Sequence, residues 1–252
     1  MKAATLPAAI ADLPEVLAEL TSVPGPSATV CPICHTWKPE SDVWCENCEE
    51  VSAVLGAAPL GASFITLYSK PSKLRDWLTR YKGRPGDEDP WEQAAEDRVE
   101  AIVARFLAEH GEQMNAVGDL DHVVVVPSTD RVPPHPLELL LDRLELDVPV
   151  SRVLRRTTEP INFRRPNADA YRADSDLSGR RTYLMDDVYT TGAHLNSAAA
   201  ALRRAGAEVT GALVVARRIN PSYRDETRRL WELANLDPFD WSTGPHVAGA
   251  HA

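Results

Sequence analysis

The apolar positions of this chain follow two rhythms that alternate along its length. Between residues 91 and 110, Ala95, Val99, Ile102, Val103, Phe106 and Leu107 recur at helical spacing. At "HVVVVPSTD" (122–130) the rhythm changes to a continuous β-branched run that ends in a polar turn, the pattern of a strand buried on both faces. The same switch recurs elsewhere. "ASFITLYSK", "VPVSRVL", residues 182–185 and "TGALVVA" read as strands. Helices are expected at 5–20, at "SKLRDWLTRYKG" (started by Ser72, stopped by Gly83), at 136–144, at 194–205 ending on Gly206, and at 223–235. Strands alternating with helices imply right-handed crossovers and a mainly parallel sheet flanked by helices, an α/β fold. In such sheets ligands bind at the carboxyl ends of strands. Two loops fall there: "PSTDR" at 127–131 and "DDVYTTGAH" at 186–194.

Composition changes this picture little. At 252 residues, with 44% hydrophobic content, the chain can hold one sizeable domain and a small appendage. No apolar run is long enough to cross a membrane, and the first residues make a poor secretory signal, so a cytoplasmic protein is expected. The net charge of −10 argues against broad binding to nucleic acid or to an anionic membrane. That charge is uneven. Residues 151–181 carry eight arginines against four acids, which suggests a small polyanion as ligand; for any one arginine, a solvated surface position is the simpler account.

All four cysteines lie in "CPICHTWKPESDVWCENC", at Cys31, Cys34, Cys45 and Cys48. Two C-x-x-C knuckles ten residues apart can aim four thiolates at one zinc ion, and four cysteine ligands leave no open position, so the site should be structural. Two disulfides are the competing account, which a cytosolic location disfavours. His35 stands beside the second ligand as a bystander. Residues 31–50 hold Lys38 against Glu40, Asp42, Glu46, Glu49 and Glu50, and an acidic ribbon repels phosphate. Trp37 and Trp44 are expected to cover a core too small to stand without metal, and the ribbon to act as a scaffold or a docking surface for a protein partner.

The segment "TYLMDDVYTTGAH" (182–194) carries the sharpest chemistry. Two adjacent acids at the end of a buried strand are costly unless something positive or hydrogen-bonding meets them. Behind them, Thr190, Thr191, Gly192, Ala193 and His194 bridge a strand end and a helix start, where unpaired N–H groups and the helix dipole favour an anion. Asp186 and Asp187 accept hydrogen bonds when ionised and suit sugar hydroxyls, or Mg2+ bound jointly with them. A phosphate beside a ribose describes a ribose 5-phosphate group. The alternative is an acid pair that merely stabilises a turn.

This segment resembles the phosphoribosyl pyrophosphate (PRPP) signature of type I phosphoribosyltransferases. With a four-Cys ribbon ahead of it, the chain is similar to the ComF-type, amidophosphoribosyltransferase-like family. "NADAY" (167–171) and "HVVVVPSTD" agree with that likeness, which runs from the ribbon to about residue 220. Together with the residue patterns at the two ends, it divides the chain into an N-terminal helix and linker over 1–30, a zinc ribbon over 31–60, a phosphoribosyltransferase-like domain over 61–236 and a Gly/Pro/His-containing tail, expected to be flexible, over 237–252. It also implies that the catalytic pair Asp186 and Asp187 holds the ribose hydroxyls, that Thr190 to His194 hold the 5-phosphate, and that Ser128, Thr129, Asp130 and Arg131 lie near pyrophosphate. Arg155, Arg156, Arg164 and Arg165 would belong to a mobile lid.

The implied reaction is Mg2+-dependent displacement of pyrophosphate from PRPP by an unidentified nitrogen acceptor. The chain departs from the family at His194, usually Thr, at "RVPPHPLELL" after the pyrophosphate loop, and at "TTEPINFRR", which lacks a Gln. Purine-salvage relatives carry an Asp base at the position of Thr190. A second class of function is therefore carried alongside: a non-catalytic PRPP- or nucleotide-binding module whose ribbon docks a partner, in DNA uptake or nucleotide regulation. The acceptor, the oligomeric state and the ribbon's partner are not legible in these residues.

Overall fold

The computed structural model describes residues 1, 8–83, 89–114, 119–128, 131 and 133–243. Four parallel strands form the central sheet in the order β1 (Ala62–Tyr68), β6 (Glu208–Arg218), β5 (Arg181–Tyr189) and β2 (His122–Val125). All four residues of β2 are buried, as its unbroken apolar run predicts. Side chains alternate across the sheet. Val123, Val125, Tyr183, Met185, Leu213 and Val215 face one core. Val124, Val126, Leu184 and Val214 face the other.

The first core is covered by α4 (Lys73–Arg80), α5 (Gln93–Met114) and α6 (Pro136–Arg143). Ser72 caps α4 by accepting from the Arg75 N–H at 3.2 Å, and His135 caps α6 in a reciprocal box with Glu138. The second core is covered by α7 (Ala193–Arg204) and by the cysteine ribbon with its helix α3 (Glu46–Leu55). The last helix, α8 (Asp225–Ala234), sets Leu230 against Val30, Leu67 and Ile219. The fold is therefore α/β, with a parallel sheet between helices and a four-cysteine cluster near the N-terminus. Among the described residues no helix is long and apolar enough to cross a membrane.

Three expectations are revised. The helix expected over 5–20 is two short turns, α1 (Ala8–Ala11) and α2 (Pro14–Leu17), because Leu13 before Pro14 is forced into extended backbone at ψ 136°; residues 2–7 lie outside the described residues. The strand expected at 148–154 shrinks to a parallel bridge at Val150 with Val123; the chain then leaves the sheet, and β3 (Leu154–Arg156) pairs antiparallel with β4 (Tyr171–Ala173). The tail from 237 begins with a packed segment: Phe239 and Trp241 stack edge to face at 4.9 Å, and Trp241 is buried against the first core. Residues 244–252 lie outside the described residues.

Candidate functional site

The four cysteines meet as their spacing requires. Their sulfurs all lie within 4.8 Å of one another, with Cys31–Cys48 at 3.8 Å and Cys34–Cys45 at 3.4 Å. Tetrahedral zinc with bonds of about 2.3 Å would space its sulfurs roughly 3.8 Å apart. All four are buried free thiols, so the cluster could hold a metal ion. Cys45 stands at the N-cap of α3 and Cys48 in its first turn, where the helix dipole favours thiolate. His35 is not among them; its Nδ1 meets the Pro24 carbonyl at 2.8 Å. Lys38 is buried too, and donates to the carbonyls of Ala28, Pro39 and Asp42. It thus ties the ribbon together and is not displayed to a polyanion.

The acid pair lies within β5, which runs past the end expected at residue 185 and continues to Tyr189, paired there with β6. Asp187 is buried, and its Oδ2 accepts from the Tyr81 hydroxyl at 2.7 Å and from the Lys82 ammonium at 2.6 Å. Burial would raise its carboxyl, but Lys82, the nearby His135 and the two hydrogen bonds outweigh it and hold it down at about 2. Asp186 goes the other way: burial and the Asp187 charge push its carboxyl well above the usual range. Its Oδ1 accepts from the Asp187 N–H at 2.8 Å. One member of the pair is thus a fixed anion, and the other waits for a cation or a donor.

Gly192 is the N-cap of α7 with φ of 84°, a conformation that excludes most other residues. A Cβ there would run into the Tyr189 hydroxyl and ring. The glycine therefore lets the loop fold down onto the strand end. Phe163, Asp186 and residues 188–195 line a cavity of about 190 Å3 in front of that helix start. The Thr191 hydroxyl donates to the Phe163 carbonyl, so the segment after β3 lies across the loop. Tyr171, from the "NADAY" segment, donates to the Pro127 carbonyl at 3.3 Å and lies 3.0 Å from His194 Nδ1, joining the two strand-end loops.

The structure brings Asp186, Asp187, Thr190, Thr191, Gly192, Ala193 and His194 to one place. Ser128 follows β2 in the chain, and Arg131 donates to the carbonyls of Lys82 and Gly83. Thr129 and Asp130 lie outside the described residues. Three of the four expected lid arginines pair with acids, and Arg156 lies against Tyr171, which itself reaches His194. Arg155 pairs with Asp174 at 2.8 Å, and Arg156 stacks on Tyr171. Arg164 pairs with Glu46 at 3.0 Å and Arg165 with Glu50 at 3.1 Å, both on the ribbon helix α3.

Tyr81, Lys82 and Arg217 were not found by sequence reasoning. The demand for a positive partner beside two adjacent acids on a buried strand foretold that such a group exists, but not which residue supplies it. A second hollow, of about 540 Å3, opens between ribbon and sheet at the end of β6, flanked by Trp37, Arg164, Thr190, Arg218 and Tyr223.

No protein-family model matches the chain, and no curated protein matches it either. Among solved structures, UMP synthase of Leishmania donovani aligns with 64% of this chain and 38% of its own at 17% identity, with a TM-score of 0.34. This chain thus spans well under half of that protein.

Proposed function

We propose that this protein is a phosphoribosyltransferase that binds PRPP and Mg2+ and transfers the phosphoribosyl group to a nitrogen nucleophile, releasing pyrophosphate. The observation that carries the reading is the strand end where an ion-paired acid and an acid lining the cavity adjoin a glycine-started helix of twelve residues. Thr190 to His194 take the 5-phosphate on backbone N–H groups and the dipole. Asp186 and Asp187 accept from the ribose hydroxyls and so fix the sugar ring.

Strand order supports the direction of the reaction. β2, which leads to Ser128 and Arg131, lies on one side of β5, and β6 with its hollow lies on the other. Leaving pyrophosphate and incoming nitrogen would then stand on opposite faces of the anomeric carbon, as in-line displacement requires. Lys82 and Arg131 place two cations on the leaving-group flank, where developing charge has to be met. Mg2+, held by the acid pair with the hydroxyls, would supply further neutralisation of pyrophosphate.

The four thiolates hold a structural zinc ion, closed to substrate, and a reduced cluster of this kind suits the cytoplasm. One observation favours a second reading, a PRPP- or nucleotide-binding module without turnover: three of the four expected lid arginines, Arg155, Arg164 and Arg165, pair with Asp174 and with the ribbon helix. Calorimetry with PRPP and Mg2+, together with pyrophosphate release measured over a panel of nucleobases and amines, separates the two. Binding with release supports the enzyme. Tight binding with no release under any acceptor supports the module. Unaltered PRPP affinity after replacing both Asp186 and Asp187 by alanine would sink both.

A further inference from the structure

Arg217, near the end of β6, is 2% exposed, yet among the described residues no carboxylate hydrogen-bonds or ion-pairs with it. Its Nε donates to the Cys34 carbonyl at 3.0 Å, and Nη2 lies 4.0 Å from the Cys34 sulfur. Its Nη1 donates to the carbonyls of Thr190 at 2.6 Å, Arg218 at 2.7 Å and Tyr189 at 3.3 Å. The guanidinium also lies over the Tyr189 ring, 4.8 Å from its centroid. A buried guanidinium without a counter-charge is costly. The nearest compensation is the thiolate cluster, which around a divalent ion carries a net charge of about −2, from four thiolates and one dication. One side chain therefore depends on the metal centre at one end and grips the phosphate loop at the other.

The grip has a direction. In a trans peptide the C=O of one residue and the N–H of the next point oppositely. With the carbonyls of Tyr189 and Thr190 drawn to Arg217, the N–H groups of Thr190 and Thr191 are turned away from it. That is the orientation an anion-binding loop needs.

We propose that Arg217 is a positioning residue that couples the metal-holding knuckles to the 189–192 loop, so that the loaded cluster sets the loop's grip on a sugar phosphate. The ligand part of this proposal rests on the reading of that loop as a phosphate cradle; the coupling itself does not. Lysine at 217 would keep the charge but lose the planar fork that reaches several carbonyls at once.

The test uses the full chain with zinc bound, the chain after removal of zinc by a chelator, and Arg217→Lys with zinc bound. Hydrogen exchange at residues 189–192 should accelerate in both altered forms, while β1 stays protected. Affinity for ribose 5-phosphate, measured by calorimetry, should fall roughly tenfold or more in both, within the usual range of site-to-site coupling. Linkage makes the converse obligatory: saturating ribose 5-phosphate should tighten zinc retention against a competing chelator by the same factor in the wild type, and not in Arg217→Lys. A residue with a merely structural role would not produce that reciprocal effect. Loop exchange unchanged by zinc removal, or unchanged in zinc-loaded Arg217→Lys, overturns the coupling. A loop that responds to zinc in a chain that binds no ribose 5-phosphate upholds the coupling and refutes the phosphate reading instead. Should Arg217→Lys not fold, the zinc-removal arm alone decides.

Discussion

Replacing the two acids one at a time by asparagine should give unequal results. Asp187→Asn leaves the Lys82 ammonium beside a neutral amide and removes the charged acceptor of the Tyr81 hydroxyl. Stripping one partner from a buried pair costs about 3–5 kcal/mol, and a hydrogen bond to a charged group is worth about 1.5–3 kcal/mol. The Lys82 side chain is 20% exposed, so water recovers part of the loss, and about 2–3 kcal/mol is expected. For a chain of this size that lowers Tm by roughly 5–10 °C. Asp186→Asn removes only the repelled charge and keeps an oxygen for the Asp187 N–H, so it should cost less than about 1 kcal/mol, or stabilise. The pH dependence has opposite signs at the two positions. Asp187 is depressed to about 2, so its contribution is present above the ordinary carboxylate range and is lost as pH falls through the folded value. Asp186 is raised, so its contribution is present at low pH and is lost as pH rises through its folded value. The deficit of Asp187→Asn should therefore shrink in acid, and Asp186→Asn should gain on the wild type toward neutrality. Urea unfolding from about pH 3 to pH 8, without magnesium or sugar phosphate, measures both. If Asp186→Asn proves as costly as Asp187→Asn at neutral pH, this account of the pair is wrong.

Gly192→Ala should destabilise by about 2–4 kcal/mol and abolish sugar-phosphate binding in calorimetry, because positive φ and overlap with Tyr189 add. Gly56→Ala, at a similar φ of 63° but with nothing within 4 Å, should cost only about 1 kcal/mol by thermal unfolding. Trp241→Ala should cost about 3 kcal/mol by the same measurement, because the ring is 7% exposed and packs on Phe239 beneath Arg105. Replacing Glu46 and Glu50 together by glutamine should leave stability within about 1 kcal/mol and tighten PRPP binding, by freeing Arg164 and Arg165 for phosphate. Weaker binding in that variant would show that the arginines serve the ribbon alone.

The parts of this fold that could be read from the sequence are those written in short-range pattern. The run at 122–125 is buried along its whole length, and the spacing of Val99, Ile102, Val103, Phe106 and Leu107 puts one face of α5 into the first core. The loop at 190–194 was legible because strand end, glycine and helix start are contiguous in the chain. What was missed is long-range. Tyr81 meets Asp187 across 106 residues, and Arg217 meets Cys34 across 183. Both encounters depend on strand order: placing β6 beside β5 carries Arg217 under the loop, and nothing local to "ARRIN" distinguishes that residue from an arginine at a solvent-exposed strand exit. The strand expected at 148–154 failed for a local reason. Pro149 has no N–H to give, so only its carbonyl and the Ser151 N–H bond to Val123 before the chain turns away.

The uneven charge of the chain has an internal explanation. An acidic ribbon and an arginine-rich segment in one sequence suggest two separate partners; in the fold they face each other. Arg164 and Arg165 pair with Glu46 and Glu50, Arg224 joins Glu46 at 3.1 Å, and the Phe163 carbonyl just before them receives the Thr191 hydroxyl. Part of the ribbon's acidity is thus spoken for within the molecule. The pairs are also cheap to break, since these side chains are 37% and 66% exposed and surface ion pairs contribute about 0–1 kcal/mol each. A segment held over the 190–194 loop by weak, screened contacts can be drawn toward a stronger anion at little cost. The pairing that leaves Arg164 and Arg165 away from the site is therefore compatible with a lid that closes only when a polyphosphate offers them more charge than Glu46 and Glu50 do.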